Sequence, residues 1–471
     1  MSDYYQSKDF QELLQRYEVA IANGDSVYLE PDELTDLAEY YYMCGRYEAS
    51  EDACDYALRL FPDATEPAIF KARFALIARA DIDEAYRHLA SAPDKTILEY
   101  YYMSAELLLY QGKPEEAMDY LKEVYASLGD EEDIADFSID IATLFIDYHF
   151  HEQAQYWLSQ SSEVDAADYR EVQARIALAQ GRFEEGEQIL NELIDENPYD
   201  IQYWNNLALG RFSAGKLPEA IDAANFALAI NPDDVEAVNT KAHVLFAQGK
   251  YEEASVWFGH SAEIHPSEEN CFYRGMALAN IDRLEEGIAC FRKGLDVPVE
   301  RSRYRFRIYQ ELATALARHG DYAEADECAR QAESLAASVE ERCECELIRA
   351  YTLLEAGKLK EANKHFNEAL AASGHAPQMY LRMITSLCDS GYLELAYTMF
   401  KWFFLTVEDS WTEGYAYMAQ CCYDLGYQDE YLEYLQIASQ KNPEETRFVF
   451  GSQFPDEVPV ANYAEYARQH R

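Results

Sequence analysis

Histidines and cysteines that occur in close pairs are the side chains with the clearest potential for chemistry. His149 and His151 could offer two nitrogen ligands to a metal ion. However, residues two apart do not share a helix face, and the pair falls on a predicted turn, so we interpret both as solvated turn residues. Cys343 and Cys345 could respond to oxidation, but Arg342 is the only nearby cation that could stabilise a thiolate. We therefore expect no metal site, no cofactor and no redox centre.

Known catalytic motifs are absent from the sequence. It contains no glycine-rich phosphate loop, no His-Glu-x-x-His and no Gly-x-Ser-x-Gly. Acidic residues are abundant, but a carboxylate pair is informative about catalysis only when its pKa is perturbed, which a sequence does not reveal. We therefore predict a protein that is not an enzyme. The alternative is an enzyme or enzyme subunit whose site is hidden in the fold.

The charge balance excludes two classes of partner. The chain has 39 Lys and Arg against 87 Asp and Glu, a formal net charge of −48. Nucleic-acid affinity comes from basic side chains that displace counterions, so this chain would repel a phosphate backbone. It would repel an anionic membrane surface in the same way. Hydrophobic residues still make up 49% of the chain, which is enough for a folded core.

Cysteine usage and the chain start suggest a compartment. Ten cysteines are scattered along 471 residues with no Cys-x-x-Cys spacing, a pattern typical of free thiols in a reducing environment. The first residues, MSDYYQSKDF, lack the basic and apolar regions of a secretory signal. The most apolar stretch, residues 399–407, is too short to span a bilayer. We expect a cytoplasmic protein that does not bind membranes.

A period of 34 residues organises the chain. Turn glycines and helix-ending prolines recur with this spacing: Gly181, Gly215, Gly249, Pro198, Pro232 and Pro266. Glycine ends a helix in a conformation that other residues adopt at a cost, and proline cannot continue the helical hydrogen-bond ladder. A period of this length therefore predicts a chain of helix–turn–helix units.

One unit carries a fuller set of residues in a fixed order: Trp204, Leu207, Ala208, Phe212, Gly215, Ala220, Ala227 and Pro232. This order resembles the tetratricopeptide-repeat (TPR) family. Two departures are small, since Ala208 stands where glycine is usual and Ala224 where an aromatic residue is usual. The resemblance implies an all-α, right-handed α-solenoid of stacked helix–turn–helix units with capping helices at both ends. Weaker copies of the turn extend the array to about twelve units.

The repeat boundaries predict four segments. Residues 1–30 would form an N-terminal capping helix, and residues 31–295 would form the first eight units. A longer connection that contains Pro298 then leads to units nine to twelve in residues 296–443. Residues 444–471 would cover the open end of the array with apolar side chains. We expect a kink or a joint at the longer connection, because solenoids accommodate insertions as loops.

The resemblance also implies a binding surface, because the first helices of TPR units line a concave groove. In the early units the groove positions are mostly acidic: Asp32, Glu39, Glu99, Glu106, Asp136, Asp168 and Glu171. Later positions are amide, aromatic and basic, and the candidate peptide-binding residues are Asn205, Asn206, Asn239, His243, Phe246, Phe272, Met276, Arg307 and Gln310. Amide side chains can hold an extended peptide backbone. The alternative is that these positions are ordinary solvated surface.

Four arginines between Arg301 and Arg307 form the one basic run of the sequence. Their every-second spacing would scatter them around a helix rather than place them on one face. We favour the interpretation that they neutralise surrounding acids. The alternative is that they anchor an acidic or phosphorylated partner.

Two hypotheses for function follow. The first is a scaffold or adaptor without catalytic activity that binds a segment of a protein or peptide partner in the concave groove. The second uses the charge, since an acidic holding chaperone would shield basic client proteins through long-range attraction that salt screens. A specific groove binder would lose its partner when groove residues change, whereas a charge-based chaperone would be indifferent to them.

Overall fold

The structure is a computed structural model that describes residues 3–23, 26–44, 46–79, 81–128, 131–297, 302–455 and 458–470. Within these residues every regular element is helical and no strand is found. Two helices, α1 (Asp3–Gln6) and α2 (Lys8–Asn23), precede the first repeat. The prediction of an all-α fold is confirmed. Pro298 and Arg301, in the longer connection, lie outside the described residues.

Twelve consecutive helix pairs follow α2 in the part of the chain that the structure describes, a number that agrees with the twelve predicted units. The first helices of the pairs are α3 (Pro31–Met43), α5 (Thr65–Ala78), α7 (Leu98–Tyr110), α9 (Glu131–Asp147), α11 (Ala167–Ala179), α13 (Ile201–Ser213), α15 (Val235–Ala247), α17 (Glu268–Asn280), α19 (Arg305–His319), α21 (Val339–Glu355), α23 (Pro377–Asp389) and α25 (Tyr415–Asp424). The second helices are α4 (Tyr47–Leu60), α6 (Ile82–Ser91), α8 (Pro114–Tyr125), α10 (His151–Leu158), α12 (Phe183–Glu196), α14 (Leu217–Ile230), α16 (Tyr251–Ile264), α18 (Leu284–Asp296), α20 (Tyr322–Leu335), α22 (Leu359–Ala372), α24 (Leu393–Thr406) and α26 (Gln428–Lys441).

The turn inside each pair depends on one residue with a positive φ angle. Gly215 has a φ of 74°, and its N–H donates a hydrogen bond to the Phe212 carbonyl at 2.9 Å. Glycine adopts this left-handed conformation without a steric cost. His149 and Asp282 take the same place in two other pairs, with φ angles of 64° and 61°. The turn is therefore retained in units where the sequence pattern is weak.

Small residues let the two helices of a pair approach closely. Ala208 on α13 and Ala220, Ala224 and Ala227 on α14 are all fully buried. Close approach brings the apolar stripes of both helices into contact and excludes water between them. The second helix of a pair then packs against the first helix of the next, as α14 does on α15, so the core extends from pair to pair.

The C-terminal segment packs on the last pair. It contains α27 (Pro443–Phe450), two short 3₁₀ helices (Gly451–Gln453 and Val460–Asn462) and α28 (Tyr463–Gln469). Phe454 stacks on Tyr463 with ring centroids 4.1 Å apart, and both rings join the core that contains α26. This segment covers apolar surface that a further repeat would otherwise cover.

Contacts divide the chain into two compact units, which we call unit 1 (Met1–Ala277 with Val297–Ser302) and unit 2 (Leu278–Asp296 with Arg303–Arg471). The division falls near the longer connection of the sequence, while the four predicted segments and the kink stay predictions. Among the described residues, no helix combines the length and the apolar character that a membrane span requires.

Candidate functional site

The first helices of unit 1 form its inner layer. Successive first helices, such as α3 and α5 or α13 and α15, contact each other directly, and second helices such as α12 and α14 contact the first helix of the next pair. The more closely spaced layer of a curved array lies on its concave side. The curvature brings Tyr47 at the start of α4 to His265 after α16, with the hydroxyl 2.5 Å from Nε2. The predicted groove positions lie on these first helices, and their place on a concave face stays a prediction.

Five acidic side chains on these helices form what we call the carboxylate line: Glu39, Glu106, Asp140, Glu171 and Glu236. They lie on α3, α7, α9, α11 and α15. Each accepts a hydrogen bond from a side chain of a different helix. The line therefore connects neighbouring units through polar contacts in addition to the apolar core.

Glu106 is the most buried member of the carboxylate line, with 6% of its surface exposed. Arg73 Nε donates to one of its oxygens at 3.1 Å, and the Tyr148 hydroxyl donates to the other at 3.3 Å. These donors come from α5 and from the turn after α9, on either side of α7. A buried carboxylate is tolerated when it is paired and hydrogen-bonded in this way.

Tyrosine hydroxyls are the donors at two other members of the line. Tyr5 donates to Glu39 at 3.0 Å, and Tyr102 donates to Asp140 at 2.9 Å. Burial and the neighbouring carboxylates raise the pKa of Tyr102, so its hydroxyl stays protonated as a donor. These contacts explain part of the high tyrosine content, 38 residues, because each ring packs between helices while its hydroxyl meets an acid.

Two adjacent asparagines hold the last two members of the line. Asn206 donates to Glu171 at 2.9 Å. Asn205 donates to Asp234 at 2.9 Å and to Glu236 at 3.5 Å, while its own carbonyl oxygen is buried without a hydrogen-bond partner in the described part of the chain. Both asparagines are buried. The structure thus brings these two predicted residues together with the acidic groove positions.

The pKa values of four line carboxylates, Glu39, Asp140, Glu171 and Glu236, are raised. The first cause is desolvation, since the surrounding first helices displace bulk water even where a side chain keeps exposed surface. The second is like charge, because Asp136 and other acids lie close to Asp140. Charging this face therefore costs free energy that a bound cation would relieve.

Arginines neutralise only part of the negative charge of the carboxylate line. Arg175 binds Asp147 through Nη2 at 2.5 Å and lowers the pKa of Glu171 and Glu236. Arg73 likewise lowers the pKa of Glu39. The first helices of unit 1 therefore combine a line of acids with few nearby cations, an arrangement that attracts positive charge.

The other predicted residues of unit 1 point toward neighbouring helices. Asn239 accepts a hydrogen bond from Ser261 on α16 at 2.5 Å. The His243 ring lies 5.0 Å from the buried Phe258 and 4.6 Å from Tyr273. The rest of this group, half-buried or buried, consists of Phe246, Phe272 and Met276. Phe272 is fully buried and belongs to the core.

The last two predicted residues belong to unit 2. Arg307 is exposed on α19 and lowers the pKa of Glu311, which burial raises. Gln310 is buried and donates to Glu344 on α21 at 3.3 Å. The repeat register predicts Glu39, Glu106 and Glu171 as groove acids but predicts neither Glu236 nor Asp140. Asp140 could be predicted from its spacing, because it follows the groove position Asp136 by four residues and so lies on the same helix face.

The fold defines the class of protein as a helical-repeat array. Three tetratricopeptide-repeat family models match the chain. One matches residues 98–127 and 306–338, a second matches 153–201, and a third matches 211–270. Together with the helix pairs, these matches show that the chain contains tetratricopeptide repeats. TPR repeats generally mediate protein–protein interaction and are typically non-catalytic, so the chain is in general terms a protein-interaction scaffold.

Several solved structures resemble parts of the chain. A TPR protein from Parabacteroides merdae is 18% identical with a TM-score of 0.42, and the match covers 52% of this chain and 94% of that one. YrrB, described as a TPR protein with an unusual peptide-binding site, is 14% identical with a TM-score of 0.34, over 39% and 91% of the two chains. MamA from Desulfovibrio magneticus is 20% identical with a TM-score of 0.33, over 36% and 94%. No curated protein shows significant sequence similarity to this chain.

Proposed function

We propose that this chain is a non-catalytic adaptor that binds a Lys/Arg-rich segment of a protein partner along the concave groove of unit 1. The observation that carries the proposal is the carboxylate line, which has few neighbouring cations and in which Glu39, Asp140, Glu171 and Glu236 have raised pKa values. Ionising these carboxylates costs free energy while the groove is empty, so a bound positive charge stabilises them.

The line also keeps free acceptor capacity. An ionised carboxylate offers about four lone-pair sites. Asp140 receives one hydrogen bond from Tyr102, and Glu171 receives one from Asn206. Lysine or arginine side chains of a partner could therefore bind the remaining lone pairs without displacing the donors that orient each acid. An extended peptide repeats its side chains on one side about every 7 Å, which allows several such contacts.

The predicted peptide-binding residues fall into two groups in this proposal. Asn205 and Asn206 orient the line, because they donate to Glu236 and Glu171. Peptide contact by the amide, aromatic and basic residues of α15, α17 and α19 stays a prediction. A cytoplasmic location likewise stays a prediction.

A labelled-peptide binding assay tests the groove. The groove variant combines Asp140→Asn, Glu171→Gln and Glu236→Gln, which removes three charges and keeps side-chain size. A fluorescein-labelled Lys-Ser repeat peptide is titrated with the full chain by fluorescence anisotropy, beside a Glu-Ser repeat peptide of equal length. We expect the basic peptide alone to bind, and the groove variant to bind it about tenfold more weakly, since an exposed ion pair is worth up to about 1 kcal/mol.

A matched control separates the groove from the overall charge. Glu123→Gln, Glu152→Gln and Asp222→Asn remove the same charge from exposed positions on the second helices α8, α10 and α14. We expect this variant to bind like the wild type. If it weakens binding as much as the groove variant, attraction comes from the whole surface, as in the acidic holding chaperone. If the basic peptide does not bind at all, the groove proposal is wrong.

A further inference from the structure

A histidine and two glutamates meet between the two helices of the tenth pair. Glu346 lies on α21, and His365 and Glu368 lie one turn apart on α22. His365 Nδ1 is 2.6 Å from Glu346 Oε2 and 3.7 Å from Glu368 Oε2. One ligand atom of each residue lies within 4.8 Å of the other two. This cluster belongs entirely to unit 2, whereas the carboxylate line belongs to unit 1.

We propose that Glu346, His365 and Glu368 bind a divalent transition-metal ion of the zinc class. One imidazole nitrogen and two carboxylate oxygens are a donor set that zinc accepts. The proposal does not depend on the groove, because it concerns other residues and a different ligand.

The spacing of the cluster suits a small four-coordinate ion. Ligand atoms about 2.1 Å from a tetrahedral zinc ion are roughly 3.4 Å from one another. The two distances from His365 Nδ1, 2.6 and 3.7 Å, lie on either side of that value. Small side-chain rotations therefore convert the hydrogen-bonded cluster into three ligands around a metal. A fourth position stays open for water or a partner's side chain.

The surroundings hold the ligands in place. Arg349 Nη1 lies 3.4 Å from the second oxygen of Glu346, and Arg349 Nε donates to Asp326 at 3.3 Å. Hydrogen-bonded partners of this kind orient metal-ligating carboxylates. His365 and Glu346 keep only 15% and 18% of their side-chain surface exposed. The pair is thus fixed before any ion arrives, which lowers the entropic cost of binding.

An ion can reach the cluster from solvent. His365 lines a cleft of about 900 Å³ in unit 2, whose wall also includes Asp326, Arg349 and Lys364. Glu368 is 48% exposed, and Lys364, which lines the cleft, lies 3.7 Å from its carboxylate. An exposed pair of this kind contributes little free energy, so Lys364 can leave Glu368 to a metal ion.

Isothermal titration of the full chain with zinc chloride tests the site, with magnesium chloride as the control cation. We expect one zinc equivalent that magnesium does not replace, because magnesium prefers an all-oxygen, octahedral shell. His365→Asn and Glu368→Gln should each weaken zinc binding at least about tenfold. Because Glu368 is largely exposed, its variant keeps the fold even if the histidine variant does not.

Two controls guard against zinc bound elsewhere. His319→Asn and Glu433→Gln change the same residue types at exposed positions outside the cluster and its cleft, and both should leave the affinity unchanged. If no zinc binds, or if both cluster variants bind zinc as the wild type does, the three residues form only an ion-pair network and the proposal is overturned.

Discussion

At the scale of single residues, the cost of a charge depends on what surrounds it. Asp389 ends α23 and lies in the cleft that Arg318 and Tyr351 also line. Desolvation by the surrounding helices, and to a smaller degree Glu355, raise the pKa of Asp389 to about 6 although the residue keeps exposed surface, and Arg318 opposes the shift. The folded chain therefore favours the protonated carboxyl more than the unfolded chain does.

This shift predicts a pH-dependent effect of Asp389→Asn. The contribution of Asp389 to stability is complete below its unfolded pKa of about 3.9 and is lost as the pH rises through about 6. Asparagine avoids that loss, so the variant should melt about 2 °C above the wild type at pH 8 and close to it near pH 4. Circular dichroism melts at the two pH values measure the difference.

Asp424→Asn is the matched control for this experiment, because Asp424 takes the corresponding place at the end of the next first helix, α25, but does not line the cleft. It should show no gain at pH 8. A fall in the melting temperature of Asp389→Asn at pH 8 would mean that the attraction of Arg318 outweighs burial.

At the scale of helices, the fifth pair departs from its neighbours in how it is packed. Gly186 on α12 occupies the position that alanine holds at Ala220 and Ala254. A Cβ at Gly186 would lie 2.6 Å from Leu178 Cγ, and one at Gly210 would lie 2.7 Å from Leu178 Cδ2. The Leu178 side chain on α11 therefore fills the space that Cβ atoms at both glycines would occupy, so one large residue keeps the core filled beside two small ones.

This packing predicts that Gly186→Ala destabilises the chain by about 1–2 kcal/mol. Alanine normally stabilises a helix relative to glycine, but here the overlap with Leu178 outweighs the gain. Chemical denaturation monitored by circular dichroism gives the value. In a Leu178→Ala background, where the overlapping side chain is shortened, the same Gly186→Ala change should be neutral or favourable. An equal penalty in both backgrounds would exclude the steric explanation.

At the scale of the whole molecule, net charge opposes folding. A formal charge of −48 repels itself within a compact chain, and the carboxylate line concentrates part of it on one face. Salt shortens the range of this repulsion to about 8 Å at physiological ionic strength. Stability should therefore depend on ionic strength more strongly than in a protein with balanced charge.

We predict that raising sodium chloride from about 20 to 300 mM increases the melting temperature by several degrees, because screening weakens the self-repulsion. Far-UV circular dichroism melts at each concentration provide the measurement. Choline chloride at equal ionic strength should have the same effect if screening is the cause. A flat or falling melting temperature would show that attractive ion pairs, such as those of Arg349 and Arg170, dominate the electrostatics.

Much of the site can be placed from sequence because it follows the repeat register. The repeat register assigns Glu39, Glu106 and Glu171 to the predicted groove, and they lie on the first helices of the first, third and fifth pairs, all in unit 1. The partners Tyr102 and Tyr148 cannot be found in this way, since each meets its acid across helices about 40 residues apart. Such meetings depend on the rotation and offset of neighbouring helices.

The amino-acid sequence by itself determined the helix pairs of this protein. Turn residues such as Gly215 and the apolar stripes around them act locally, so their spacing predicts the same unit wherever it recurs. Only the tertiary structure decided which side chains meet. It joined Asn205 to Glu236, Asn206 to Glu171 and His365 to Glu346, and it placed Phe272 in the core. The reason is physical: repeat spacing defines the elements, whereas burial and pairing depend on how each helix packs against its neighbours.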